Sequence, residues 1–336
     1  MNIKDIAKIA GVGVSTVSRV LNNHQDVKES TREKVLKVIK ESNYVPNNSA
    51  RILKQNNTNN IGVLVKGVFN PLFSEMTNII GGIINSTKYT MILEQNDYSL
   101  SDDFETLQSF IKEKRLQGAI CLGGDFETVS RERMASLEVP VVLTSVNTLF
   151  EKDDYGYSSV GIDNLESAYI ATKYLIGLGH KKIAVMIGEE NDLGISWSRL
   201  KGFKKAMEEE NLIFKTEDIL VGDYNTETAY NVTRKFLRDR RDITAIFSIS
   251  DVMAMGVAKA IVDENLKIGD DISLIGFDGM DISKFYNPGI STIKQPRIEM
   301  AKKSAELLFG LLNGTVQNQH IILSTELIKR ESCKEI

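Results

Sequence analysis

The chain has 336 residues, with 41 Lys/Arg against 45 Asp/Glu and only two cysteines. That length holds two or three domains with a sizeable core, and Cys121 and Cys333 are too few and too far apart for a disulfide framework or a metal knuckle. No apolar run reaches membrane-spanning length, and Lys4, Asp5 and Lys8 break any signal-peptide pattern, so a cytoplasmic protein is expected.

Charge is unevenly placed. Residues 1–60 hold ten Lys/Arg and five Asp/Glu, a net +5; with −4 for the whole chain, residues 61–336 carry −9. A small basic module joined to a large acidic body points to one polyanion-binding part and one part that is not.

Residues 4–22 read as two short helices joined by a tight turn. Ile6, Ala7, Ile9 and Ala10 form the apolar stripe of the first, Gly11 ends it, and Val12 plugs the turn. On the second helix Val17, Val20 and Leu21 share one face, while Val14, Ser15, Thr16, Ser18, Arg19 and Asn22 fall on the other. Short hydroxyls, an amide and a guanidinium suit phosphates and base edges. The pattern fits a helix-turn-helix, and equally an ordinary helical hairpin inside another core.

A third helix runs from Lys28 to Ser42 and turns Val35, Leu36, Val38 and Ile39 inward, closing a three-helix core. Asn43-Tyr44-Val45-Pro46 breaks it, because the residue before proline avoids the α region. Asn47, Asn48 and Ser49 then precede one or two turns of helix over Ala50–Lys54, and the polar stretch Gln55–Asn60 marks a domain boundary.

From Ile61 the rhythm changes to short apolar runs alternating with amphipathic segments. Strands are expected at 61–65, 91–95, 118–122, 141–145, 183–187, 245–249 and 273–276, and helices at 71–87, 164–178, 199–211 and 251–265. This alternation implies parallel sheets flanked by helices, and the length suits two lobes. Ligands of such sheets bind beyond the carboxyl ends of strands, here 66–73, 95–98, 123–125, 144–147, 188–199, 223–224, 250–251 and 277–278.

Catalytic signatures are missing. Gly11-Val-Gly13 has no third glycine and no preceding strand, and His24, His180 and His320 are scattered. There is no phosphate-loop Gly-Lys pair, Gly-x-Ser-x-Gly or His-x-x-x-His. No enzyme, cofactor or metal is expected.

Several ordered motifs resemble the LacI/GalR family of bacterial transcription regulators. They are Asp5-Ile-Ala with Ala10-Gly-Val, Thr16-Val-Ser-Arg-Val-Leu-Asn22, Thr31-Arg-Glu-Lys-Val35, Asn43-Tyr44 with Pro46-Asn47, and Ala50-Arg51 with Leu53. Further on come Gly177-Leu-Gly-His180, Arg199 with Gly202-Phe203, Ser250-Asp-Val-Met-Ala254 and Ile275-Gly-Phe-Asp278. The resemblance implies an all-α N-terminal helix-turn-helix DNA-binding domain (1–46) and a hinge helix with linker (47–60). It also implies an α/β two-lobed periplasmic-binding-protein-like effector and dimerisation domain (61–331). Its N-lobe is expected at about 61–160 plus 291–319 and its C-lobe at about 161–290 plus 320–331.

The resemblance implies that the second helix lies in the major groove of an operator, with Val14, Ser15 and Arg19 at the base-reading positions. Thr16, Ser18, Asn22 and Thr31 read as phosphate contacts. Lys28 departs from the small polar residue often found there, which weakens the cap of the third helix. Ala50, Arg51 and Leu53 match the hinge that enters the minor groove, Leu53 as the wedge. In the effector domain, Arg199 matches an arginine that clamps ligand hydroxyls or a carboxylate, and Asp278 matches the carboxylate opposite it, a pair able to chelate paired hydroxyls. Asp251 beside Ser250 is expected at the same mouth, with Phe69, Phe73, Trp197 and Tyr224 as apolar walls.

The expected function is a repressor that binds a near-palindromic operator as a homodimer, without the leucine-heptad tail of a tetramer. A sugar or sugar derivative in the cleft controls it, and Lys66 and Lys201 are candidates for a sugar phosphate. The alternatives are a regulator that responds to a nucleoside, a purine or a partner protein, and a cytosolic sugar-binding module.

Overall fold

The computed structural model describes residues 1–21, 24–42, 44, 58–67, 70–96, 102–146, 156–189 and 194–336. The chain divides into two units, Met1–Thr58 and Asn59–Ile336.

The first unit holds α1 (Ile3–Ala10), α2 (Val14–Leu21) and α3 (Glu29–Glu41). Asn2 caps α1 by accepting from the N–H groups of Lys4 and Asp5, and the Asp5 carboxylate accepts from the Asn2 N–H at 2.8 Å. Gly11, at φ 62°, turns the chain towards α2. Ile6, Ala7, Ala10, Val17, Val20 and Val35 form the core, with Val12, Leu21, Val38, Ile39 and Tyr44 packed around it.

Two expected core residues differ: Ile9 is 57% and Leu36 48% exposed. So small a core takes only a narrow stripe from each helix, and both residues lie just beside it. Lys28 precedes α3 without a side-chain cap bond. Asn22 and the hinge residues Ala50, Arg51 and Leu53 lie outside the described residues.

The second unit carries two six-stranded sheets. Its chain runs β1 (Asn60–Lys66), α4 (Pro71–Asn85), β2 (Thr90–Asn96), α5 (Asp103–Lys114), β3 (Gly118–Leu122), α6 (Arg131–Ala135), β4 (Val141–Thr144) and β5 (Ser158–Ile162). It crosses to α7 (Asn164–Gly177), β6 (Ile183–Ile187), α8 (Ile195–Glu209), β7 (Ile219–Val221), α9 (Thr226–Asp239), β8 (Ala245–Ser248), α10 (Asp251–Asp263), β9 (Ser273–Asp278), α11 (Asp281–Phe285) and β10 (Ser291–Lys294). It returns through α12 (Arg297–Leu312) and β11 (His320–Leu323) and ends with β12 (Glu326–Ile328).

The N-lobe sheet has the order β11-β5-β4-β3-β1-β2, parallel throughout; the C-lobe sheet has the order β12-β10-β9-β8-β6-β7, with β12 alone antiparallel. Strands β3, β4, β6, β8 and β9 are buried along their whole length, because helices cover both faces of the sheets. The lobe limits move from those expected. β10 (291–294) belongs to the C-lobe sheet and β11 (320–323) to the N-lobe sheet, so the later exchanges fall at 295–296 and 324–325. The ladders decide this: Ser291 pairs with Ile275 on β9, and His320 with Ser159 on β5. Among the described residues, no helix is long and apolar enough to cross a membrane.

Candidate functional site

A cleft of about 130 Å³ opens where the strands of the two sheets end. From the N-lobe it takes Lys66 at the end of β1, Asn70, Leu72 and Phe73 at the start of α4, Gly123, Gly124 and Asp125 after β3, and Ser145 after β4. The C-lobe supplies Glu189 after β6, Ile195 and Arg199 on α8, Tyr224 after β7, Ser250 after β8 and Asp278 at the end of β9. Gln295, on the crossover between β10 and α12, completes the lining. The carboxyl ends of parallel strands thus build the site, as open α/β sheets do.

Arg199 is 3% exposed and held on three sides. Its Nε donates to Asn164 Oδ1 at 3.0 Å, its Nη1 donates to the Ile249 carbonyl, and its guanidinium carbon lies 3.6 Å from the centre of the Phe277 ring. Asp278 Oδ1 is 3.8 Å from Arg199 Nη1 and accepts from Gln295 Nε2 at 2.8 Å. Burial raises the Asp278 carboxyl above the ordinary range, against the pull of the Arg199 charge. Gln295 is 1% exposed, and its Oε1 is buried with no hydrogen-bond partner among the described residues.

The N-lobe wall carries a second ion pair. Lys66 Nζ donates to Asp103 Oδ2 at 2.8 Å, and the same carboxylate accepts from Asn96 Nδ2 at 2.6 Å and from the Asp125 N–H at 2.7 Å. Two glycines make room for the apolar walls. A Cβ on Gly123, at φ +72°, would lie 3.0 Å from the Phe73 ring, and one on Gly188 would lie 2.1 Å from the Tyr224 ring. The Tyr224 hydroxyl bonds Ser196 Oγ at 2.9 Å, which fixes that ring from below.

Arg199, Asp278, Phe73 and Tyr224 therefore come together as expected, and two candidates do not. Trp197 is 40% exposed on the outer face of α8, beneath the ammonium groups of Lys201 and Lys204. Residues two apart on a helix point about 200° apart, so turning Arg199 inward turns Trp197 outward. Asp251 is fully buried below the cleft, where Oδ2 accepts from the Met280 N–H at 2.7 Å and Oδ1 from Thr292 Oγ1 at 2.8 Å. It ties β9 and β10 together behind Asp278. Burial and the neighbouring Asp278 charge push its carboxyl up to about 8.

Neither phosphate candidate offers a spare charge to the cleft, since Lys66 pairs with Asp103 and Lys201 lies over Trp197. Phe69 is outside the described residues. Sequence reasoning missed Gln295, Asn164 and Asp103. Only Asn164 had a local signal, as the first residue of a predicted helix.

In the first unit, α2 turns Val17 and Val20 into the core and leaves Val14, Ser15 and Arg19 exposed, with Thr16 and Ser18 half-buried. Arg19 Nη1 lies 3.1 Å from Asp26 Oδ2 in the α2–α3 connection. Thr31, half-buried, falls in the first turn of α3.

The remaining reactive groups are structural. Burial pushes both thiols up, that of Cys333 to about 11. His180 bonds Thr244 Oγ1 at 2.9 Å and the Lys334 carbonyl at 3.1 Å. Among the described residues no group of three His, Cys, Asp or Glu side chains could hold a metal ion.

The family model for bacterial regulatory proteins of the lacI family matches residues 2–47, and that for periplasmic binding protein-like domains matches residues 172–333. The chain is 61% identical over 336 residues to the HTH-type transcriptional regulator MalR of Clostridium butyricum, covering all of both chains. It is 33% identical to the HTH-type transcriptional repressor PurR of Histophilus somni over 99% of each. Among solved structures, the complex of the transcriptional regulator CelR with cellobiose aligns with TM-score 0.71 at 25% identity over 99% of both chains. The lac repressor dimer bound to operator and the anti-inducer ONPF aligns with TM-score 0.76 at 24% identity over 99% of both, a likeness of fold.

Proposed function

The chain belongs to the LacI family of bacterial transcription regulators, and we propose that it is a repressor whose operator affinity is set by a neutral, polyhydroxylated ligand, a sugar, held between its lobes. It is a DNA-binding regulator and not an enzyme, like its relatives. The finer reading rests on one observation: among the described residues, each cation of the cleft already faces a carboxylate. Lys66 meets Asp103 and Arg199 meets Asp278, while Asp125 and Glu189 add further acids. Among the described residues a phosphate would meet no unmatched positive charge, whereas paired hydroxyls can bridge an Arg–Asp couple by donating to one and accepting from the other. Phe73 and Tyr224 offer ring faces to the apolar side of a pyranose.

Two copies acting together explain how such a small helical module reaches specificity, because a dimer reads two half-sites of a near-palindrome in the cytoplasm, where the DNA is. Val14, Ser15 and Arg19 read bases, and Thr16, Ser18, Asn22 and Thr31 hold phosphates. Ala50, Arg51 and Leu53 enter the minor groove. A ligand that meets Arg199 and Asp278 on the C-lobe and Phe73 and Asp125 on the N-lobe is held by both lobes and so biases their relative position as it binds. That movement changes how the two DNA-binding modules are presented and couples the cleft to the operator.

The test is a thermal-shift screen of neutral mono- and disaccharides (cellobiose among them), sugar phosphates and nucleosides. A bound ligand raises the melting temperature by mass action. A neutral saccharide is expected to shift it; a shift confined to sugar phosphates contradicts the charge argument. The ring walls also suit a nucleoside, and a shift with nucleosides alone selects that second reading. Removing residues 1–60 is expected to abolish DNA binding and leave the saccharide shift intact. Retained DNA binding would overturn the assignment and favour a plain sugar-binding module.

A further inference from the structure

The pairing of Arg19 with Asp26 is built into the α2–α3 connection. The His24 N–H donates to the Arg19 carbonyl at 3.0 Å, and Arg32 Nη2 donates to the His24 carbonyl at 2.6 Å. The connection is thus pinned to the end of α2 on one side and to α3 on the other, two residues before Asp26. The Asp26 carboxylate then reaches Arg19 Nη1 at 3.1 Å, with both side chains more than half exposed. An exposed ion pair of this kind contributes little to stability, so its consequence has to be sought in what Arg19 does.

We propose that Asp26 is a specificity-determining positioning residue for DNA recognition: its carboxylate holds one side of the Arg19 guanidinium and leaves the other edge to meet a guanine. The inference rests on the reading of α2 as the groove-facing helix. A guanidinium carries five N–H donors in a fixed fork, so engaging Nη1 leaves Nε and Nη2 for guanine O6 and N7. The carboxylate acts a second way. It repels backbone phosphates and cancels the charge that would let Arg19 settle on any phosphate in reach, which weakens binding to every wrong sequence. A base-reading arginine without such a partner is as good a phosphate ligand as a guanine ligand.

The experiment uses the full chain and a duplex selected by it from a random pool. Binding is measured to that duplex, to variants with each guanine exchanged for adenine, and to random-sequence DNA over a range of salt. Arg19→Ala is expected to lower discrimination at one base pair by about fivefold or more. Asp26→Asn is expected to lower discrimination at that same pair. It also tightens random-DNA binding and steepens the salt dependence of log K by about one unit. Asp26→Glu restores part of the discrimination, and Asp26→Asn adds nothing to the loss when placed on Arg19→Ala. If Asp26→Asn discriminates like the parent, the inference fails while the groove-facing helix stands. If Arg19→Ala itself changes no base preference, both fail.

Discussion

Gln295 donates through Nε2 to Asp278 Oδ1 at 2.8 Å while its own Oε1 stays buried without a partner among the described residues. An unmet buried acceptor costs about 1–3 kcal/mol, and a ligand hydroxyl that donates to it recovers that cost. Gln295→Leu removes the acceptor. The saccharide that shifts the parent protein is expected to bind this variant about tenfold more weakly or worse, a loss of ~1.4 kcal/mol by calorimetry. An unchanged affinity takes Gln295 out of the ligand's contacts.

Arg199 supports the cleft as well as facing it. Arg199→Ala leaves the Asp278 side chain, 2% exposed, without its cation, and also strands Asn164 Oδ1 and the Ile249 carbonyl. Breaking a buried pair in this way costs roughly 3–5 kcal/mol. Urea denaturation of the variant is expected to show a loss of that order, and Asp278→Asn added to it should restore part of the loss. Additive losses from the two substitutions would mean that they do not interact.

Asp251 makes stability depend on pH. Its folded carboxyl is pushed up to about 8, against about 3.9 in an unfolded chain. Between these values the folded protein holds a proton that the unfolded chain has released. The stability from this group is therefore full below about pH 4 and is lost as pH rises through about 8. Asp251→Asn keeps an oxygen for the Met280 N–H, and the Thr292 hydroxyl can turn to accept from its amide. The parent's melting temperature is expected to fall more steeply than the variant's between about pH 5 and pH 8; parallel curves there would deny Asp251 this role.

On the DNA side, Arg19 and Thr31 should separate by the kind of loss they cause. Arg19→Ala relaxes the choice at one base pair, worth about 1–3 kcal/mol. Thr31→Ala weakens all duplexes alike, because a phosphate contact carries no sequence information. Uniform weakening from Arg19→Ala would make it a phosphate ligand.

These sites differed in how far the chain announced them. Strands such as β3 and β6 stood out because burial on both faces writes an unbroken apolar run. β5 did not, since Ser158, Ser159 and Gly161 interrupt it, and its burial comes from a ladder with β11 that begins at residue 320. Arg199 and Asp278 were legible through the resemblance and through their places near strand ends. Trp197 misled because 188–199 read as one loop; once α8 starts at Ile195, helical spacing sends it to the far side from Arg199. Asp251 starts a helix beside Ser250, and only the fold shows that β9 and β10 enclose its carboxylate. Gln295 lies on a crossover with no periodicity of its own. Its place in the cleft follows from two lobes that exchange chain at 295–296, which local pattern cannot reveal.

The central claim couples a neutral ligand in the cleft to the grip on DNA, and one titration tests it most directly. Anisotropy of a labelled, chain-selected duplex is followed while the saccharide found by thermal shift is added to the full-length parent and to Arg199→Lys. The parent's affinity for the duplex is expected to change at least fivefold, the scale of a coupling of about 1 kcal/mol, while Arg199→Lys, lacking the fork, stays unresponsive at the same concentrations. A parent that binds the saccharide with no change in DNA affinity, or a variant that responds as the parent does, would contradict the account.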